Sequence, residues 1–309
     1  MLSVVIPAYN EERCIKRVYA EIQALLEKNN IESEFIFVDD GSSDETYRMI
    51  AELSAEKENI SGLHFSRNFG KESAISAGLA AVNGDCAVVI DCDLQHPPEK
   101  VIEMYRLWKQ GYEIVEGVKK ERGQEKRLYS LGARFFYCAI SRMAGFNMAN
   151  SSDFKLLDKK VVDVLNKMPE RGFFRAISYW VGYNKATVEY VVRERADGKS
   201  KWSKKGLLKY AISNISSYSA APMQIVTALG FVMLIISVIF GIWTLIDKII
   251  RKAPEGMTTI IIITIFTGSI IMISLGIIGY YIARIYEEIK GRPKYIISST
   301  VKSVKKNTD

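Results

Sequence analysis

The stretch Cys86-Ala87-Val88-Val89-Ile90-Asp91-Cys92-Asp93-Leu94-Gln95 decides how the N-terminal half of this chain is read. Its first five residues are apolar, as a strand buried on both faces requires, and the run then breaks into two carboxylates. Alternation along an extended backbone predicts that Asp91, Asp93 and Gln95 share one side. Hard oxygen donors at the end of a buried strand suit Mg²⁺ or Mn²⁺, which keep open positions for substrate phosphates. An Asp-x-Asp pair alone is as often a solvated acidic turn, so the surroundings must decide.

Outward from that stretch, apolar strands alternate with amphipathic helices. Strands are predicted over 2–6, 34–38, 61–65, 86–90 and 112–116, with helices over 11–27, 44–55, 71–82 and 98–110. This rhythm predicts an α/β fold, a mostly parallel sheet with helices on both faces and ligands beyond the carboxyl ends of the strands. Three polar clusters fall at such ends: Pro7-Ala8-Tyr9-Asn10-Glu11, Asp39-Asp40-Gly41-Ser42-Ser43-Asp44, and the run from Asp91 to Gln95. Asp40, at the strand's end, is placed to bond a ligand. Asp44 reads as a cap for the next helix. Farther on, a helix is predicted over 122–143, another over 158–166 and a strand over 187–192.

The C-terminal third has a different character. No charged residue occurs from Tyr210 to Ile246 or from Gly256 to Ala283. About 20 helical residues cross a bilayer core, so each stretch is long enough to span one. The expected order is a domain over 1–202, an interfacial amphipathic helix over 203–221, spans over 222–246 and 258–283 joined by a short loop at 247–257, and a juxtamembrane helix with a basic tail over 284–309. Lys199, Lys201, Lys204, Lys205 and Lys209 precede the first span, and Arg284, Lys290, Arg292 and Lys294 follow the second. The loop carries only Lys248, Arg251 and Lys252, so the positive-inside bias predicts a multi-pass protein of the plasma membrane with both termini and the N-terminal domain cytoplasmic. These clusters largely explain the net charge of +7, which suits anionic headgroups. No nucleic-acid motif is present, so nucleic acid is not an expected partner. Cys14, Cys86, Cys92 and Cys138 lack metal-ligand spacing and read as reduced thiols.

Taken together, Ser3 to Glu11, Val38 to Asp44 and Asp91 to Pro98 resemble glycosyltransferase family 2, and that resemblance implies the GT-A, Rossmann-like nucleotide-sugar fold. Arg195-Ala196-Asp197-Gly198-Lys199-Ser200-Lys201 and the paired spans further resemble its polyprenyl-phosphate subgroup, which contains dolichol-phosphate mannose synthase and bactoprenol glucosyltransferase. The resemblance implies that Pro7, Tyr9, Glu11, Val38 and Asp40 border the nucleoside. It implies that Asp91, Asp93 and Gln95 hold Mn²⁺ or Mg²⁺ and the diphosphate, with Cys92 offering only backbone. Arg195 and Lys201 are implied to hold phosphate, Arg122, Arg127 and Arg134 the acceptor phosphate. Asp153 falls where the family places its catalytic base, with Asp93 as a second catalytic carboxylate. His96 reads as a structural turn residue.

The reaction so implied is inverting transfer of a hexose, first glucose from UDP-glucose, to undecaprenyl or another polyprenyl phosphate. UDP-N-acetylglucosamine and GDP-mannose are the next donors. A phosphate monoester is mostly a dianion at pH 7, so it hardly needs deprotonating, and Asp153 is expected to orient rather than to take a proton. A processive polysaccharide synthase is disfavoured because no Gln-x-x-Arg-Trp motif joins Arg175 and Trp180. A catalytically dead scaffold is disfavoured by the intact Asp91, Asp93, Gln95, Arg195 and Lys201. Gly268, Gly276 and Gly279 could support helix packing, and the resemblance implies a homo-oligomer, a tetramer.

Overall fold

The computed structural model describes residues 1–120, 152–168, 174–192 and 257–302, together with Val232, Ile235, Ile236, Ile239, Ile242 and Ile246. Contacts divide the chain into two units, Met1–Trp202 with Pro293–Asp309, and Ser203–Arg292.

The first unit opens with β1 (Leu2–Ala8), α1 (Ile15–Lys28), β2 (Ser33–Asp39), α2 (Thr46–Glu56), β3 (Ile60–Phe65), α3 (Lys71–Ala80), β4 (Cys86–Val89), α4 (Glu99–Lys109) and β5 (Ile114–Lys119). It continues with β6 (Lys155–Asp158), α5 (Lys159–Lys167), α6 (Phe174–Trp180) and β7 (Lys185–Tyr190), and closes with β8 (Ile297–Lys302). The strands form one sheet in the order β7-β5-β6-β4-β1-β2-β3-β8. β1 pairs in parallel with β2 and β4, and β2 with β3, as the predicted strand–helix rhythm demands. β6 enters antiparallel between β4 and β5, so the sheet is mixed.

Apolar residues in adjacent positions point to opposite faces, and each face has its own core. Leu2, Val4, Ile6, Phe35 and Phe37 lie against Ile15, Ile22 and Leu26 of α1 and Met104 of α4. Val5, Ile36, Val38, Ala87 and Val89 lie against Ala74, Ile75 and Leu79 of α3 and Val161 of α5. Burying a side chain of this size contributes about 1.5–3 kcal/mol, and a strand clothed on both sides collects it at every residue.

Two expectations need correction. The run after β4 is a turn rather than extended chain: β4 ends at Val89, and Leu94 has φ +56°. The expected sharing of one side nevertheless persists as burial, because Cys92, Leu94 and His96 are buried while Asp91, Asp93 and Gln95 are partly open. Residues 284–309 were expected to be helix and loose basic tail, but 297–302 is β8, antiparallel to β3 with Leu63 opposite Thr300. An unpaired β3 edge is a row of exposed hydrogen-bonding groups, and β8 covers it. Tyr295 stacks on Phe65 at 5.1 Å, locking the approach to that strand.

In the second unit, α7 (Met257–Ile289) has 33 residues, with an apolar window at Phe266–Ala283 of mean hydropathy 1.7. Among the described residues it is the one helix long and apolar enough to cross a membrane. Ile271, Met272, Ile273, Leu275 and Ile282 are exposed along it. Of the span expected over 222–246, only the positions named above are described, and each is helical and exposed. The rest of that span, the interfacial helix and the loop lie outside the described residues.

Candidate active site

β1 takes β2 on one side and β4 on the other, so the chain's progress across the sheet reverses there. Doubly wound sheets open a crevice beyond the carboxyl ends at such a point. The three polar clusters meet along this rim.

On the β1–β2 side the loops are laced by hydrogen bonds. The Asn10 amide donates to Ser42 Oγ at 2.8 Å, and Ser43 N–H returns to Asn10 Oδ1 at 2.9 Å. Glu11 N–H donates to Thr46 Oγ1 at 2.8 Å, while Thr46 N–H and Glu12 N–H both donate to Asp44 at 3.0 and 3.4 Å. Asp44 thus accepts the first amide of α2, although the N-cap position itself is Glu45 rather than the expected Asp44. Asp39, fully buried, accepts from Ser42 N–H and its hydroxyl and meets His64 Nδ1 at 2.6 Å. Asp40 accepts from Phe69 N–H at 2.6 Å and Gly70 N–H at 2.9 Å. Burial raises its pKa, and those two amides pull back against the rise. Gly41 has φ +64°, and a Cβ there would collide with the Arg67 backbone, so this turn admits the 66–70 loop only because it is glycine. Tyr9 projects from the same rim, 39% exposed. Pro7 and Val38 are buried in their strands.

On the β4–β6 side the carboxylates are held by side-chain cations. Lys71 Nζ, at the first position of α3, lies 2.6 Å from Asp91 Oδ1 and 2.8 Å from Asp153 Oδ2. Arg175 of α6 forks onto the same Asp153, with Nε 2.7 Å from Oδ1 and Nη2 3.0 Å from Oδ2. Burial pushes the Asp153 carboxyl up, but the Lys71 and Arg175 charges overcome it and hold the group well below the usual carboxylate range. Asp91 is likewise depressed, burial opposing and Lys71 prevailing. A carboxylate so placed is a poor proton acceptor near neutral pH.

Under Asp153 lies a buried polar layer. Lys155 Nζ pairs with Glu116 Oε1 at 3.1 Å and donates to Ser178 Oγ at 2.7 Å, while Ser152 N–H donates to Glu116 at 3.2 Å. Breaking such a pair costs about 3–5 kcal/mol, so it rigidly fixes the 152–154 turn. His96 stacks on Phe154 at 4.9 Å, and its Nδ1 accepts from Asp91 N–H at 3.5 Å. Burial lowers the His96 pKa, which fits a neutral, structural ring.

A cation could be held by Asp91, Asp93 and Gln95. Among the described residues no group of three His, Cys, Asp or Glu gathers as ligands, and at this turn they offer two carboxylates. Such a sparse oxygen set fits an ion that completes its shell with substrate phosphates and water. Asp91 already holds a positive charge, the Lys71 ammonium, and Asp93 Oδ1 accepts the Gln95 N–H at 3.1 Å. Cys92 is buried and its thiol pKa is pushed well above the ordinary value by that burial, leaving only its backbone for a ligand. Arg122, Arg127, Arg134, Arg195 and Lys201 lie outside the described residues. Sequence reasoning missed Lys71 and Arg175. Lys71 could have been found, since it follows the end of β3 on the same rim. Arg175 carries no local signal.

The chain matches the family model described as Glycosyl transferase family 2 over residues 3–165. It is 37% identical to a prophage bactoprenol glucosyl transferase homolog of Escherichia coli (strain K12), covering 97% of this chain and 99% of that one. It is 35% identical to the SfII prophage-derived bactoprenol glucosyl transferase of Shigella flexneri, covering 97% and 98%. Among solved structures, glucosyl-3-phosphoglycerate synthase from Mycobacterium tuberculosis, in complex with Mn²⁺, uridine diphosphate and phosphoglyceric acid, superposes with a TM-score of 0.50 at 21% identity, over 70% of this chain and 76% of that one. That likeness concerns the fold.

Proposed function

The chain belongs to glycosyl transferase family 2, and from that premise we propose that it moves glucose from UDP-glucose to a polyprenyl phosphate, undecaprenyl phosphate first, at the cytoplasmic face of the plasma membrane. One observation carries the acceptor. The family model stops at residue 165, whereas the bactoprenol glucosyl transferase relatives match 97% of the chain, through the apolar α7. A water-soluble acceptor would give that helix nothing to do.

In this reading Pro7, Tyr9, Glu11, Val38 and Asp40 frame the nucleoside. Asp91, Asp93 and Gln95, with the Cys92 backbone, take Mn²⁺ or Mg²⁺, and the Mn²⁺ bound by the mycobacterial structure supports a divalent ion of this kind. When bound, that ion supplies positive charge against the departing diphosphate. Asp153, clamped by Lys71 and Arg175, orients the sugar and does not remove a proton. The acceptor needs no base, being mostly a dianion at pH 7 with a second pKa of about 6. Its oxygen attacks the anomeric carbon opposite the leaving group, which inverts the configuration. Arg195 and Lys201, with Arg122, Arg127 and Arg134, draw the phosphates toward the headgroup plane.

The membrane part of the reading keeps the domain at 1–202 in the cytoplasm, an interfacial helix over 203–221, and two spans over 222–246 and 258–283 around the loop at 247–257. Among the described residues nothing lies within 4 Å of where a Cβ would sit at Gly268, Gly276 or Gly279, which suits close helix packing in a homo-oligomer, by resemblance to the family a tetramer.

The test offers the purified full-length protein undecaprenyl phosphate with labelled UDP-glucose, UDP-N-acetylglucosamine or GDP-mannose, plus Mn²⁺ or Mg²⁺. Chloroform-soluble label from UDP-glucose is expected. Label from another donor overturns the sugar, and none from any donor overturns the acceptor.

A further inference from the structure

The contact that the proposed chemistry leaves unexplained is that of Lys71 with Asp91. Its ammonium lies between two carboxylates from distant parts of the chain, 2.6 Å from Asp91 and 2.8 Å from Asp153. The three side chains differ in exposure: Asp153 is 6% exposed, Asp91 28% and Lys71 38%. Asp153 is therefore a fixed anion, pinned from the other side by Arg175, while Asp91 stands nearer the open rim where a ligand arrives. Lys71 itself is anchored at the root, since it begins α3 directly after Gly70, whose N–H is held by Asp40. Its flexible stem lets the ammonium shift between the two carboxylates without moving the helix.

We propose that Lys71 is an internal stand-in for the divalent cation: its ammonium neutralises Asp91 while the site is empty, and yields Asp91 when a nucleoside diphosphate brings the metal in, withdrawing to Asp153. This rests on the reading of Asp91 as a cation ligand. Two consequences follow from charge alone. Metal and ammonium repel each other across the same carboxylate, so an ion arriving alone must compete with a charge already in place. An ion arriving with a diphosphate brings further oxygen ligands and negative charge, and the competition then tips its way. Metal binding and nucleotide binding are thereby coupled, and the coupling is reciprocal. Lys71 is in these terms a positioning residue, acting through Asp91 and Asp153.

The test measures Mn²⁺ binding directly, from the free-ion electron paramagnetic resonance signal, on the full-length protein in detergent with and without UDP. Wild-type protein is expected to bind Mn²⁺ at least roughly tenfold more tightly with UDP present. Lys71→Met is expected to tighten binding of Mn²⁺ alone by roughly tenfold and so shrink the effect of UDP. Asp153→Asn moves the other way, because Lys71 loses its alternative carboxylate and bears harder on Asp91. Lys71→Gln serves if thermal denaturation shows that Lys71→Met is unfolded. A folded Lys71 variant that binds Mn²⁺ alone no better than wild type overturns the stand-in role and leaves the proposed function intact. If wild-type protein binds no Mn²⁺ even with UDP, the cation reading of Asp91 falls, and this inference with it.

Discussion

The two halves of the rim hold their carboxylates by opposite means. Beyond β1 and β2, Asp39, Asp40 and Asp44 accept hydrogen bonds chiefly from backbone amides and neighbouring hydroxyls. Beyond β4 and β6, Asp91 and Asp153 face the side-chain cations Lys71 and Arg175. A backbone amide cannot leave without unmaking its loop, whereas a lysine can swing aside. The first half is therefore a shaped cradle, and the second an arrangement of charges that a ligand can redistribute.

The sharpest way to break this contrast is to compare Asp91→Asn with Asp40→Ala. Asp91→Asn should lower glycolipid formation by about 10³-fold while costing less than about 1 kcal/mol of stability, because its pair with Lys71 is partly solvated. Asp40→Ala removes the acceptor from the half-buried Phe69 and Gly70 amides and should cost about 1–3 kcal/mol, read as a lower denaturation midpoint. If the two variants exchanged these signatures, the division of the rim would be wrong. A smaller effect is expected of Asp153→Asn: turnover should fall about 10²-fold with the acid limb of the pH–rate profile unmoved. An acid limb that shifts would return Asp153 to the role of base.

The smallest effect lies under the charged half. Burial, and then the neighbouring Lys155 charge, bring the Lys185 pKa down to about 8. The unfolded chain holds that proton up to about 10.4, so between these values it binds more protons than the folded one. The contribution of Lys185 to stability must therefore rise with pH across that window, and be flat below about 8. A ¹³C-methylated Lys185 should titrate near 8, and higher in Lys155→Met. A midpoint at the ordinary lysine value would mean that the buried layer does not reach it.

The cradle was largely legible in the sequence because its signals are local. Apolar runs gave β1 to β4, and the Gly41 turn with Asp44 announced the start of α2 within a few residues. The charged half was legible only in its acids. Lys71 and Asp153 are 82 residues apart, and no periodicity links a lysine at a helix start to a carboxylate in a distant turn. β8 escaped for a related reason. Ile297-Ser298-Ser299-Thr300-Val301-Lys302 is mostly exposed, so no buried face marks it, and its strand character depends on a partner far earlier in the chain. The extended reading of Asp91 to Gln95 failed at Leu94, whose left-handed backbone nothing in the composition announces.

That returning strand carries a rule of parity. β8 is hydrogen-bonded to β3, so chain leaving the sheet before residue 203 and chain re-entering it after 292 must stand on the same side of any bilayer. A single passage through lipid would strand β8 on the far side from its partner. The two spans proposed over 222–246 and 258–283 meet that condition, and α7 alone would not.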